Sequence, residues 1–192
     1  RRHTPHIALE DRILDMRKEK ELFNLGKIRY EMINPYVSIL NRSSELDIRI
    51  VSAKRLKPYI HATLGSLCDV YKTELPPVTI CNVENTVNEE ANELKQSNWT
   101  VININDGFTA NMSTLSLRIE KETRDYWKCL NVSKSREESR YTLLLEDDVF
   151  VHSQFKSMIN SLIYQLDYRL DIDYVKLYHI NRLRHISSLP QV

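Results

Sequence analysis

From Leu46 onward the chain alternates between short apolar runs and amphipathic stretches. Ile48–Ser52 is rich in β-branched residues and reads as a strand. Tyr59–Tyr71 places Ile60, Leu64, Leu67 and Val70 on one helical face, and Pro76-Pro77 stops the connection after it. Val78–Val83 is a second strand, Asn88–Gln96 a short polar helix with Ala91 and Leu94 inward, and Trp99–Ile104 a third strand. Leu115–Leu130 is a longer helix on which Leu115, Ile119, Tyr126 and Leu130 share a face. Thr142–Leu145 suits a strand buried on both sides. Phe155, Met158, Ile159, Leu162, Ile163 and Leu166 then recur at helical spacing behind Ser153 as the N-cap, and Tyr174–Tyr178 reads as a fifth strand. Strands alternating with helices predict right-handed crossovers and an α/β fold with a mostly parallel sheet flanked by helices.

Residues 1–40 have a different character. Charged residues crowd Glu10–Glu21, and Ile13, Leu14, Leu22, Phe23, Leu25 and Ile28 form only an interrupted apolar stripe. Asn34-Pro35 ends the pattern, because the residue before proline resists the helical region. The expectation is a solvated N-terminal helical or stem segment over 1–45 and a single α/β domain over 46–192.

The run Thr142–Leu145 ends in three consecutive acids, Glu146-Asp147-Asp148. Unpaired carboxylates cannot follow a strand into a core, so the acids are expected at its mouth, facing water, a cation or a ligand. Polar residues also follow the other strands: Ser52, Lys54 and Arg55; Glu84 and Asn85; Asp106. In open α/β sheets such strand ends converge on one crevice. Hard carboxylate oxygens there suit Mg²⁺ or Mn²⁺. The same acids would serve equally to cap a helix or to solvate a loop. With only three glycines, the chain has neither a G-x-G-x-x-G fingerprint nor a P-loop, so a diphosphate held here needs cations instead.

Composition narrows the class. The 192 residues are 42% hydrophobic and 28% charged, as expected of a globular domain, and the net charge of +1 offers no field for nucleic acid. No run approaches the roughly 18 apolar residues of a membrane span. Cys68, Cys81 and Cys129 fit no zinc motif; one disulfide with a free thiol and three buried thiols are both open. Sequons at Asn41, Asn98, Asn111 and Asn131 are a mild lumenal hint.

A strand ending in an acid triplet after three βα units resembles the donor half of GT-A-type glycosyltransferases. Leu143–Asp148, the helix after it, and Tyr174-Val-Lys-Leu-Tyr-His179 with Arg182-Leu183 resemble the GPI-glycan N-acetylgalactosaminyltransferases known as post-GPI attachment to proteins factor 4; Ile80–Glu84 is similar to that family's second strand. The resemblance spans about 46–189. It implies a Golgi enzyme, on the lumenal face of the membrane, that moves GalNAc from UDP-GalNAc to a mannose of the GPI anchor. It also implies that 46–192 is the donor-binding half of an incomplete GT-A-like domain. A transmembrane helix would precede it, and a membrane hairpin would follow near its end, so that the acceptor site and any base would lie beyond Val192. The isolated chain is then expected to be marginally stable, to bind UDP weakly with Mn²⁺, and to transfer no sugar.

Carried over to this sequence, the resemblance makes Asp148 the direct metal ligand, with Glu146 also near the Mn²⁺ or Mg²⁺. Glu146 and Asp147 would meet ribose, sugar or metal-bound water, and Ser52, Arg55 and Glu84 would lie near the uridine. Lys176 and Arg182 would be able to pair with phosphate, and His179 and His185 to act as ligands or a base, although surface residues need no such role. Two other readings share these features. One is a branching N-acetylglucosaminyltransferase acting on N-glycans. The other is a non-catalytic lumenal glycoprotein module whose acids are merely solvated.

Overall fold

The computed structural model of the chain describes residues 5–33, 45–55, 59–84, 88–105, 115–132 and 139–177. The expected positions at Asn41, Asn85, Asp106, Asn111, Tyr178, His179, Arg182 and His185 lie outside them. Two compact units divide the chain, 1–156 and 157–192.

Within the first unit, strands β1 (Leu46–Ser52), β2 (Val78–Asn82), β3 (Thr100–Asn103) and β4 (Tyr141–Glu146) form one sheet in the order β3-β2-β1-β4. Every pairing is parallel, as the βα alternation predicts. Helices α2 (Tyr59–Tyr71), α3 (Glu89–Gln96) and α4 (Leu115–Asn131) supply the connections. Crossovers run one way from β1 to β2 to β3, and β4 then adds on the other side of β1. The order therefore reverses between β1 and β4, the place where open α/β sheets bind ligands. Register brings the ends into line, with Ser52 opposite Asn82, Asn82 opposite Asn103, and Val51 opposite Glu146.

All seven residues of β1 are buried, two of them charged. Strand alternation puts Asp47, Arg49 and Val51 on one face and Ile48 and Ile50 on the other. Arg49, 1% exposed, is tied by Nε to Asp47 Oδ2 at 2.7 Å. Its Nη1 donates to the carbonyls of Cys129, Leu130 and Val132 at 2.6, 2.7 and 3.1 Å. These carbonyls sit at the end of α4, where a helix leaves acceptors unpaired and carries partial negative charge. On the same face Cys81 and Cys129 form a disulfide among Val51, Val83, Ala53, Ile104 and Leu144. It closes a separation of 48 residues, which by loop-closure entropy stabilises the fold by about 4 kcal/mol. Cys68 is the free thiol; burial pushes its pKa up to about 12 and keeps it inert.

The N-terminal segment forms α1 (Pro5–Ile33), ending just before Asn34-Pro35. It is less solvated than its charge suggests. Gly26 is buried against α2, where a Cβ would lie 2.7 Å from the Ala62 carbonyl oxygen, and a Cβ on Gly65 would overlap the Gly26 carbonyl. The two helices approach backbone to backbone because neither has a side chain there. Phe23 meets Tyr59 edge to face, and Arg29 pairs with Asp69 at 3.1 Å. Leu22, Leu25, Ile28 and Met32 stay exposed.

Helix α5 (Phe155–Leu166) matches its predicted stripe, of which Ile159 is buried and Met158 exposed. Its first turn is closed by His152 rather than Ser153: the His152 carbonyl accepts from Phe155 N at 2.8 Å and Nδ1 accepts from Gln154 N at 3.3 Å. The expected fifth strand does not form over 174–177, where Tyr174, Val175 and Leu177 are exposed and no ladder partner exists among the described residues. A strand signal needs an edge to pair with, and an alternating pattern does not supply one.

Candidate functional site

At the reversal between β1 and β4 the end of β4 turns through Glu146-Asp147-Asp148 beside the loop that leaves β1. The three acids do not share one environment. Asp147 is 2% exposed, so the expectation that all three face outward fails for it. Its Oδ2 accepts from Ala53 N at 3.0 Å and its Oδ1 from Arg55 Nε at 2.6 Å. Both oxygens are thus engaged, which is how a carboxylate tolerates burial. Burial pushes the Asp147 carboxyl above its ordinary value, while Arg55 and the Ala53 N–H pull it back.

Asp148 is more open, with its side chain 37% exposed, and its Oδ2 lies 3.1 Å from Arg55 Nη1. Arg55 therefore spans both aspartates. Partial burial opposes its charge, but Asp147 and then Asp148 raise its pKa overall. Glu146 is exposed and accepts from the Tyr126 hydroxyl at 2.7 Å. Burial and then this bond raise the Tyr126 pKa, so the phenol stays a neutral donor.

The flanks are pinned too. Glu84 Oε1 accepts from Lys54 N at 2.8 Å, drawing the β1 loop toward the end of β2. Ser52 is buried and its carbonyl accepts from Val83 N at 3.1 Å. Thr63 of α2 donates its hydroxyl to the Asp147 carbonyl at 2.6 Å, and Ser66 Oγ accepts from Val151 N at 3.2 Å. Asn82 donates to Asn103 Oδ1 at 2.9 Å and accepts from Asn88 Nδ2 at 3.0 Å, while Asn88 caps α3 through Ala91 N. Glu90 on α3 faces the same field; burial and then the Asp147 charge push its pKa up.

Five of the six expected site residues are directly linked to this loop-and-turn contact: Arg55, Glu84, Asp147 and Asp148 through side chains, and Glu146 through the turn itself. Ser52 lies beneath them in the sheet. Lys176 is exposed in the second unit. Tyr126, Thr63, Ser66, Glu90 and the asparagine network escape sequence reasoning. Only Asn88, an N-cap residue type before a helix, carries a local signal; the others are defined by contacts across 20 to 85 residues of chain.

Among the described residues no three His, Cys, Asp or Glu side chains converge as a cage for a metal ion. Glu146 and Asp148 keep their carboxylates open to solvent, and hard divalent cations are also held by only one or two carboxylates, with waters and ligand phosphates completing the shell. No described helix is long and apolar enough to cross a membrane.

An all-parallel sheet flanked by helices defines a partial Rossmann-like α/β domain, with charged side chains gathered at its strand reversal. Residues 46–191 match the family model described as GPI-N-acetylgalactosamine transferase PGAP4, and the chain belongs to that family of glycosyltransferases. No solved structure matches it.

Proposed function

We propose that residues 46–192 carry the donor site of a glycosyltransferase that uses UDP-GalNAc with Mn²⁺ or Mg²⁺, the acceptor being a mannose of the GPI-anchor glycan. The observation that carries this reading is Asp148, half-exposed at the strand reversal of a chain in this family. Asp148 would hold the cation directly and Glu146, kept in place by Tyr126, would approach it or its waters. The bound cation would supply Lewis-acid stabilisation of the departing diphosphate. Asp147 works one step back: it fixes the Ala53–Arg55 loop on which the nucleotide would rest. Glu84 does the same from β2 through Lys54 N.

The test is calorimetry of UDP binding with and without Mn²⁺, followed by competition between UDP-GalNAc and UDP-GlcNAc. UDP affinity that rises with Mn²⁺, and preference for the GalNAc donor, are expected. Preference for UDP-GlcNAc would point to the branching transferase instead, and no Mn²⁺-dependent UDP binding would point to a non-catalytic module.

A Golgi lumenal location belongs to the same proposal, supported by the Cys81–Cys129 disulfide, since disulfides persist in oxidising compartments. Asn131 at the end of α4 is exposed, and so is Asn98, which sits at a φ of 65° and is more open than a position beside a strand start suggests. Both are therefore expected to carry glycans in a secretory host. A glycosidase shift removed by Asn98→Gln and Asn131→Gln checks it; full expression without occupancy at either would count against a lumenal chain.

A further inference from the structure

Arg55 touches both aspartates, but the two contacts differ in kind. Nε meets Asp147 Oδ1 at 2.6 Å, where the carboxylate is 3% exposed and its second oxygen is already taken by Ala53 N. Nη1 meets Asp148 Oδ2 at 3.1 Å, where the guanidinium and the carboxylate are both about a third exposed, at 36% and 37%. The first contact is shorter and buried on its Asp147 side, where both carboxylate oxygens are already engaged. The second is longer, solvent-facing and made through one nitrogen.

Asp148 Oδ2 is also an oxygen on which a divalent cation would sit. Mg²⁺, for instance, lies about 2.0–2.1 Å from its oxygen ligands. It and the Arg55 Nη1 group would compete for the same lone pairs while repelling one another. The guanidinium is thus in the way of the cation in the donor-free protein. An arriving diphosphate changes the balance, because its oxygens give a guanidinium a paired, charge-assisted partner. Arg55 is placed to take it: the side chain leaves the loop after the central strand, at the reversal of strand order. Glu146 takes no part in the exchange, since Tyr126 holds it from α4.

We propose that Arg55 is an exchangeable counter-cation for Asp148: in the donor-free protein its guanidinium neutralises that carboxylate, and on donor binding it yields Asp148 to the divalent cation and turns Nη1 to the diphosphate, pivoting on its contact with the buried Asp147 carboxylate. The proposal rests on the metal and donor reading above. It has a consequence that reading lacks: Arg55 itself opposes the cation while the donor is absent, so its loss strengthens Mn²⁺ binding without UDP and weakens the coupling between cation and nucleotide.

Mn²⁺ titration of the whole chain, read by the electron paramagnetic resonance signal of free Mn²⁺ and repeated with saturating UDP, tests it. Arg55→Gln is expected to bind Mn²⁺ alone about tenfold more tightly and UDP at saturating Mn²⁺ about tenfold more weakly, a change within the span of ordinary coupling energies. A residue that merely braced the loop would, when lost, weaken both and lower the melting temperature. Since Arg55→Gln leaves Asp147 buried without its cation, the double variant Arg55→Gln/Asp147→Asn keeps that contact neutral and is titrated beside it. Tighter Mn²⁺ binding without UDP in either folded variant supports the exchange. Unchanged or weaker binding in both overturns it, as does the absence of Mn²⁺ binding to every form. Wild-type Mn²⁺ binding that Asp148→Ala leaves untouched would instead remove the metal assignment on which the proposal stands.

Discussion

Arg49→Met is expected to cost about 3–5 kcal/mol of folding stability, the range for breaking a buried ion pair by removing one partner. That is a large part of the roughly 5–15 kcal/mol that holds a domain together. Methionine fills much of the arginine's volume, so the loss is not a cavity effect. It leaves the buried Asp47 carboxylate and Cys129 carbonyl, and the partly buried Leu130 and Val132 carbonyls at the end of α4, without their donor. The damage should reach the site, since α4 also presents Tyr126 to Glu146. Urea unfolding followed by circular dichroism reads the loss directly. Asp47→Asn added to Arg49→Met should recover part of it, because the orphaned charge is then gone. A loss under about 1 kcal/mol would mean that water reaches these groups, contrary to an arginine 1% exposed.

Asp148→Ala is expected to leave the melting temperature nearly unchanged and to weaken Mn²⁺-dependent UDP binding by at least about 100-fold. Loss of groups that merely orient metal ligands costs about 10–100-fold, and a direct ligand should cost no less. The fold should survive, because Asp148 is half-exposed and its described partner is Arg55, which keeps its contact with Asp147. Asp147→Ala makes the opposite profile. It leaves Ala53 N and Arg55 Nε without an acceptor, so a stability loss of about 1–3 kcal/mol precedes any effect on the ligand. Calorimetry and thermal melting on the two variants separate the roles. Unchanged UDP affinity in a folded Asp148→Ala protein would sink the assignment of the metal to Asp148.

The contrast between these neighbours shows where sequence reasoning stopped. Three acids after an apolar run are a legible signal, because charge cannot enter a core alone. Yet that rule exempts a carboxylate whose partners come from elsewhere, and Asp147 finds its partners 94 and 92 residues away in Ala53 and Arg55. Arg49 illustrates the same point within a strand. Its neighbours predict β1 well, but nothing local announces that it will cap a helix 80 residues later. Gly26 and Gly65 look like helix-weakening residues until the two helices are seen to touch through them.

Local pattern by itself determined the four strands, the helices between them and the parallel class of the sheet. Apolar period and punctuation by proline and polar residues are properties of a few consecutive positions, so they survive in a bare sequence. The short motifs around Leu143–Asp148 also carried the resemblance to the family to which the chain belongs. Only the tertiary structure decided that Cys81 joins Cys129, that Cys68 stays free, that Asp147 turns inward while Asp148 remains open, and that 174–177 pairs with nothing described. Each of those depends on which distant groups arrive at one point in space, and the free energy of burying a charge, a thiol or a strand edge is set by that company rather than by the residue itself.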